Sequence, residues 1–332
     1  MATPRAPSAC VPGSGHNSYP FCNSTLPLDA RVRDLVRRIK DEDKPKLLTA
    51  RAEHGLPYLG VPGFYWGTNC VNKGPGYGCV GKRCPTSFPS GPSLSATFNR
   101  EIQRRVGAAI ARETRAMWNV HGGMRGISCW GPVLELTRDP RWGRIAESGS
   151  EDPYLLGELG AAITRGMQQG DAGDKGVDPR YLLVAATVKH MAVNSLEGEW
   201  GGDPPFEPGG RRGGPVSRHN LDAEVSRHDL VDSYWPAFRA SIRAGARGVM
   251  CAYNGINGVP ACLDPLQRAA RASWGFSGYV VSDTDSVADA FQEHQYAPDG
   301  SEAAALAIRD GGCDLNSGPS SLATARRAWR WR

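Results

Sequence analysis

The stretch "SGYVVSDTDSV", residues 277–287, decides the fold. Tyr279, Val280 and Val281 are strand formers in unbroken succession, without the alternation of a half-exposed strand. The run stops at Ser282 and gives way to two carboxylates, Asp283 and Asp285. An acid at the tip of a buried strand is costly unless something there uses its charge.

Working outward, the same pattern recurs. "GISCWGPVLEL" (126–136), "LLVAATVKHMAV" (182–193), "ARGVMCAYN" (246–254) and "GGCDLN" (311–316) are apolar runs that end in polar residues. Between them lie helical segments. Residues 99–119 set Ile102, Val106, Ile110, Thr114 and Met117 on one face, with arginines opposite. Residues 150–169 open with a capping "SEDP". Residues 225–243 form a helix that Pro236 should kink or divide. Shorter helices are expected over 264–273 and 301–310. Strand–helix alternation over this length leaves a closed (β/α)8 barrel or an open doubly wound sheet. No Gly-rich dinucleotide fingerprint follows an early strand, which disfavours the open nucleotide-binding sheet and a nucleotide-dependent enzyme. The fold class expected is therefore α/β, a (β/α)8 TIM-type barrel.

Composition excludes other classes. The chain has 332 residues, 40% hydrophobic and 22% charged, so it can bury a sizeable core. Its formal charge of +5 owes much to Arg211-Arg212 and the terminal "ARRAWRWR". No basic helix or aromatic-interleaved stripe marks a nucleic-acid surface. No apolar run reaches the roughly 20 residues of a membrane span, and the opening "MATPRAPSACVPGSG" lacks the apolar core expected of a secretory signal. Of nine cysteines at least one must stay unpaired if the others form disulfides. No C-x-x-C pair signals zinc, and neither metal nor cofactor is expected. Cys70, Cys79 and Cys84 crowd a Gly/Pro-rich stretch suited to disulfide staples, and "NST" at Asn23 is a glycosylation sequon. Both fit an extracellular or cell-wall protein.

In a barrel the C-terminal strand ends share one rim, where the chemistry sits. Those ends carry Lys189, His190 and Asn194, then Tyr253 and Asn254, then Asp283, with "RDPRWGR" (138–144) upstream. Singly, each has a plain structural explanation: a solvated strand end, a braced turn, or a helix cap, the role expected of Asp285. Together they describe a carboxylate kept ionised by cations. Such a group, ringed by donors, suits sugar chemistry, as nucleophile or as a grip on hydroxyls.

"RDPRWGR…SEDPYLLG", "KHMAVNSLE" (189–197), "MCAYNGINGVPAC" (250–262) and "GYVVSDTDSV" stand in the order and at the spacings of glycoside hydrolase family 3. The chain resembles that family's N-terminal barrel domain from about residue 20 to 318. "PFCNSTLPLDARVRDLVRRI" (20–39) is similar to the opening of its β-xylosidase branch, and "SDTDSV" to the "SDCDAV" of β-xylosidases. The resemblance implies a retaining, exo-acting glycosidase for β-xylosides from xylan. Asp283 would be the nucleophile that forms a covalent glycosyl-enzyme. Arg144, Lys189, His190, Arg218 and Tyr253 would bind the sugar. Removing Lys189, His190 or Arg144 should then weaken binding while leaving the fold intact.

Three departures accompany the resemblance. The acid usual at the end of the first barrel strand has Asn69 as its best match in "VPGFYWGTNCVNKG" (61–74), which would give an uncharged substrate-binding group. Residues 199–217 form a long Gly/Pro-rich loop. The chain stops soon after "GGCDLNSGP", before the family's second, α/β sandwich domain, which supplies the general acid. "KHMAVNSLE" does not match the branch that carries a barrel histidine for that task. The expected organisation is residues 1–20 as a disordered or misassigned N-terminus, 21–318 as the barrel, and 319–332 as an atypical tail of a truncated or mis-spliced chain. Three alternatives remain in the same pocket: a non-catalytic carbohydrate-binding barrel, a β-glucosidase, or an α-L-arabinofuranosidase. The partner in each is an oligosaccharide or polysaccharide, with no nucleic acid or membrane.

Overall fold

The structure, a computed structural model, describes residues 8–52, 55–72, 79–120, 126–171, 178, 181–198 and 216–318. Residues 199–215 of the Gly/Pro-rich loop, the 319–332 tail and residues 1–7 lie outside them.

The apolar runs form parallel strands. In chain order the strands are β1 (Arg51–Ala52), β2 (Phe64–Tyr65), β3 (Thr68–Asn69), β4 (Ser128–Val133), β5 (Ala185–Met191), β6 (Asp222–Ala223), β7 (Gly248–Cys251), β8 (Gly255–Ile256), β9 (Val259–Pro260) and β10 (Tyr279–Ser282). The main sheet runs β10-β7-β5-β4-β3, parallel throughout. Its open edges meet. Leu315 pairs with Val281, Asn316 pairs with Thr49, and the Trp66 N–H donates to the Ala50 carbonyl. A ring of seven strand segments closes in this way among the described residues, where eight were expected. β1 and β2 pair antiparallel. The reason is the short link between them, since a parallel return needs a crossover of a dozen or more residues, usually helical. β6, β8 and β9 form a separate small sheet outside the ring.

Lack of alternation is explained by burial on both faces. Val188, Val249 and Val280 pack outward with Phe238, Ile242 and Leu266 from the surrounding helices. Each such burial is worth about 1.5–3 kcal/mol. Met250, Val281 and Leu315 point into the ring with Trp66, Trp130 and Tyr279. Tyr279 opens β10, so it plugs the end of the ring opposite Asp283. Its hydroxyl lies 2.6 Å from Thr187 Oγ1 and also meets Ser128 Oγ.

The helices follow their caps. Asp152 accepts the Leu155 N–H at 2.8 Å ahead of the helix Pro153–Gln169. That helix lies against Arg100–Val120 at two glycines: a Cβ on Gly166 would sit 2.0 Å from the Arg104 carbonyl oxygen. Pro236 divides its segment as expected, with a wide turn at Leu230–Tyr234 before the helix Pro236–Arg243.

Residues 8–20 correct the expected N-terminal boundary. Ala9 is buried, its N–H donates to the Gly60 carbonyl, and Cys10 is bridged to Cys22. This segment is packed onto the barrel. Further disulfides join Cys70 to Cys129, Cys79 to Cys84 and Cys251 to Cys262. Cys313 is free and buried, and burial pushes its thiol up to about 12. A thiol reagent at pH 8 should therefore find nothing in the native chain, and one thiol per chain in denaturant without reductant. More than one would show that a disulfide is open.

Candidate active site

Asp283 follows β10 directly. Its N–H donates to the Cys251 carbonyl at 3.0 Å, and its Oδ1 accepts the Thr284 N–H at 2.7 Å. Cys251 ends β7 and is bridged to Cys262, so the neighbouring strand end is anchored too. The side chain of Asp283 is 13% exposed. Burial alone would raise its pKa. His190, Lys189, the Thr284 N–H and Arg144 outweigh burial, and the carboxyl is held below the ordinary aspartate range.

His190 is the strongest of these influences. Nε2 lies 3.3 Å from Asp283 Oδ2 and 3.2 Å from Arg144 Nη2, which donates to it when the ring is neutral. On its other side, Nδ1 lies 2.6 Å from Glu135 Oε1, which also accepts the His190 backbone N–H at 2.7 Å. Lys189 is buried beside it. Burial depresses its pKa, with Asp283 as the leading opposing influence. Arg144 donates through Nε and Nη2 to the two oxygens of Glu147, each at 2.9 Å, and stands 3.9 Å from Glu197. Burial works against both charges. The pair still keeps the guanidinium pKa high and the Glu147 pKa low.

Arg218 and Tyr253 complete the group. The Tyr253 pKa is raised by burial and then by the Asp283 charge beside it. The Arg218 guanidinium sits 5.0 Å from the centre of the Tyr253 ring. Arg218 Nη1 donates to Glu197 at 2.9 Å and Nε to His219 Nε2 at 3.2 Å. His219 in turn rests on Asp289 at 2.8 Å, with both side chains fully buried.

Six of the seven sequence-derived site residues thus meet: Asp283, His190, Lys189, Arg144, Arg218 and Tyr253. Asn69 stands apart. It is exposed at the end of β3, and its side-chain oxygen accepts the Val71 N–H at 3.3 Å. Asp285 opens the helix Ser286–Gln292 with φ +61°, but through its backbone: its carbonyl accepts the Ala288 N–H, and its side chain makes no cap bond. Burial corrects one expectation. Lys189 is 5% exposed and His190 1%, so these are packed interior groups that an alanine would leave as cavities.

Sequence reasoning missed Glu135, His219 and Asp289. Each had a faint signal: an acid inside an apolar strand run, a histidine beside a site arginine, and an acid on the apolar side of a short helix. The arrangement is an ionised carboxylate at a strand tip, faced by one imidazole, one ammonium, one guanidinium and one phenol. It can attack an electrophilic carbon or hold hydroxyl groups.

Comparison with known proteins gives the family. The profile of the glycosyl hydrolase family 3 N-terminal domain matches residues 65–323. The chain is 34% identical to probable beta-D-xylosidase 7 of Arabidopsis thaliana over 94% of its own length and 40% of that protein. It is 37% identical to beta-xylosidase/alpha-L-arabinofuranosidase 2 of Medicago sativa subsp. varia, over 91% and 37% respectively. Among solved structures it is similar to an exo-beta-xylosidase of this family in complex with a xylobiose aziridine probe: TM-score 0.82, 27% identity, 99% of this chain and 40% of that one. The chain spans about two fifths of the length of these relatives. It belongs to glycosyl hydrolase family 3, to which it contributes the N-terminal domain.

Proposed function

We propose that this chain is the nucleophile-bearing, sugar-binding barrel of a retaining exo-β-xylosidase, with residues 8–318 as the working unit. The observation that carries the reading is Asp283, ionised at the end of β10 and faced by His190, Lys189, Arg144 and Tyr253. In the first step an Asp283 carboxylate oxygen forms a bond to the anomeric carbon while the bond to the leaving oxygen breaks. In the second, a water oxygen bonds to that carbon as its bond to Asp283 breaks, the water proton passes to the carboxyl that served as acid, and the configuration is restored. Lys189, His190, Arg144, Arg218 and Tyr253 hold the hydroxyls of the sugar. Xylose is favoured by the relatives' names and by "SDTDSV". An extracellular or cell-wall location is proposed on four disulfides and on the exposed sequon at Asn23.

One observation favours a second reading, a carbohydrate-binding barrel without turnover of natural substrate. Retention requires two carboxyls about 5–5.5 Å apart, one to attack and one to protonate the leaving oxygen. The three glutamates nearest this cluster are engaged: Glu135 by His190, Glu147 by Arg144, and Glu197 by Arg218 and Trp142. A nitrophenolate leaves without a proton, but a xylose does not, and absent acid catalysis costs on the order of 10²–10⁴ in rate. The 332-residue chain should cleave nitrophenyl xyloside slowly and leave xylobiose essentially intact. Rapid xylobiose hydrolysis would point to an acid within this barrel, and Glu147, Glu151 and Glu197 would be replaced in turn to find it.

A 2-fluoroxyloside should label Asp283 in the intact protein, and Asp283→Ala should abolish labelling. Its folded pKa lies below the ordinary 3.8, so the carboxylate stays charged as pH falls. The stability that its ionisation contributes is present above the unfolded value and is lost only as pH drops through the folded one. The labelling rate should accordingly show no loss from Asp283 protonation between about pH 7 and 5. Label on Asp285 would sink the assignment.

Lys189→Met, His190→Gln and Arg144→Gln should each weaken xylose binding by about 1.5–3 kcal/mol, the worth of a hydrogen bond to a charged group. Alanine at 189 or 190 should also lower the melting temperature, because both sites are buried. Unchanged affinity in all three isosteric variants would leave these residues with a structural role only.

A further inference from the structure

Glu135 lies two residues beyond β4, in "GPVLEL". Its side chain is 2% exposed, and that of His190 1%. Oε1 takes three donors: the His190 backbone N–H at 2.7 Å, His190 Nδ1 at 2.6 Å and the Asn194 amide at 3.4 Å. The Glu135 carbonyl accepts the Ser148 hydroxyl, so the backbone is tied as well. Oε2 is buried with no hydrogen-bond partner among the described residues.

We propose that Glu135 is a positioning residue for Asp283, acting through His190: it takes the hydrogen of Nδ1 and so turns Nε2 toward Asp283 and Arg144. The proposal rests on the reading of Asp283 as nucleophile. An imidazole has two tautomers and two ring orientations that exchange nitrogen for carbon. Only one combination serves this site. Oε1 is an acceptor already engaged by a backbone N–H, so Nδ1 facing it must donate. That leaves Nε2 of the neutral ring as a lone pair for the Arg144 N–H. When the ring carries a second proton, Nε2 becomes a donor toward Asp283 Oδ2. With the ring reversed, carbon would face Asp283 and both contacts would be lost. What the role requires at 135 is an acceptor toward Nδ1; Glu135 supplies it even though burying a carboxylate with one bare oxygen is costly.

The test is a ¹⁵N spectrum of the histidine side chains in the full chain, with His190 assigned through His190→Gln. Wild type should show His190 with hydrogen on Nδ1. Glu135→Gln, which can still accept both donors, should keep that form. Glu135→Leu should shift the ring toward hydrogen on Nε2 and slow 2-fluoroxyloside labelling of Asp283 by about 10–100-fold, the usual loss when a metal-bound histidine loses its supporting carboxylate. Glu135→Gln should stay within a few-fold of wild type. Hydrogen on Nε2 in wild type, or a Glu135→Leu protein with unchanged tautomer and labelling, would overturn the proposal. Should Glu135→Leu not fold, the wild-type and Glu135→Gln spectra decide it. A wild-type chain that takes no label counts against Asp283 as nucleophile, while the tautomer still reports whether Glu135 holds His190.

Discussion

The structure turns on keeping one buried carboxylate charged. Asp283 sits where burial favours its neutral form, yet its surroundings hold it as the anion. Two unit charges about 4 Å apart attract by about 4 kcal/mol at an effective dielectric of 20. One cation thus offsets a large part of the desolvation, and several do so fully. Lys189 and Arg144 serve here, with His190 as a donor when protonated. Their own charges are then buried, and two of them engage a further acid: Glu147 and Glu197 for Arg144, Glu135 for His190. The site is a nested set of charge pairs that radiates from one strand tip.

This nesting explains which parts were legible in the sequence. The inner residues follow strand runs, so a barrel brings them to one rim whatever their rotamers. That is why Asp283, Lys189, His190 and Tyr253 could be named from "VVSD", "VKHM" and "CAYN". The outer acids have no such marker. Glu135 and Asp289 read as ordinary charged residues in apolar segments until the fold shows that each faces a buried imidazole. Side-chain partners across sequence separations of 55 and 70 residues leave no local pattern.

The fold was legible to a similar depth. Helix bounds were set by local signals, Asp152-Pro153 at one start and Pro236 at a division, and these held. The parallel strands β4, β5, β7 and β10 were legible because burial on both faces suppresses alternation. The short early segments were not: β1, β2 and β3 span two residues each, too short for any periodicity. The last closing segment was named from "GGCDLN", and it is bridged at Leu315 and Asn316. Ring closure is a property of the assembled barrel, so the reversed β1–β2 pair could not be read from composition.

Asn69 shows how far motif matching carries. The match rested on position relative to the first strand, and the structure does put Asn69 at the end of β3, paired with Trp130 of β4. Side chains on a strand alternate sides, however, and a one-residue difference in register moves a group from one face to the other. Thr68 is buried at this strand end, while Asn69 is exposed and turned to Val71. Position along a strand is therefore insufficient to assign a sugar contact. The face must be right as well, and at Lys189 and His190 it is burial beside Asp283, not the motif alone, that puts both side chains in the site.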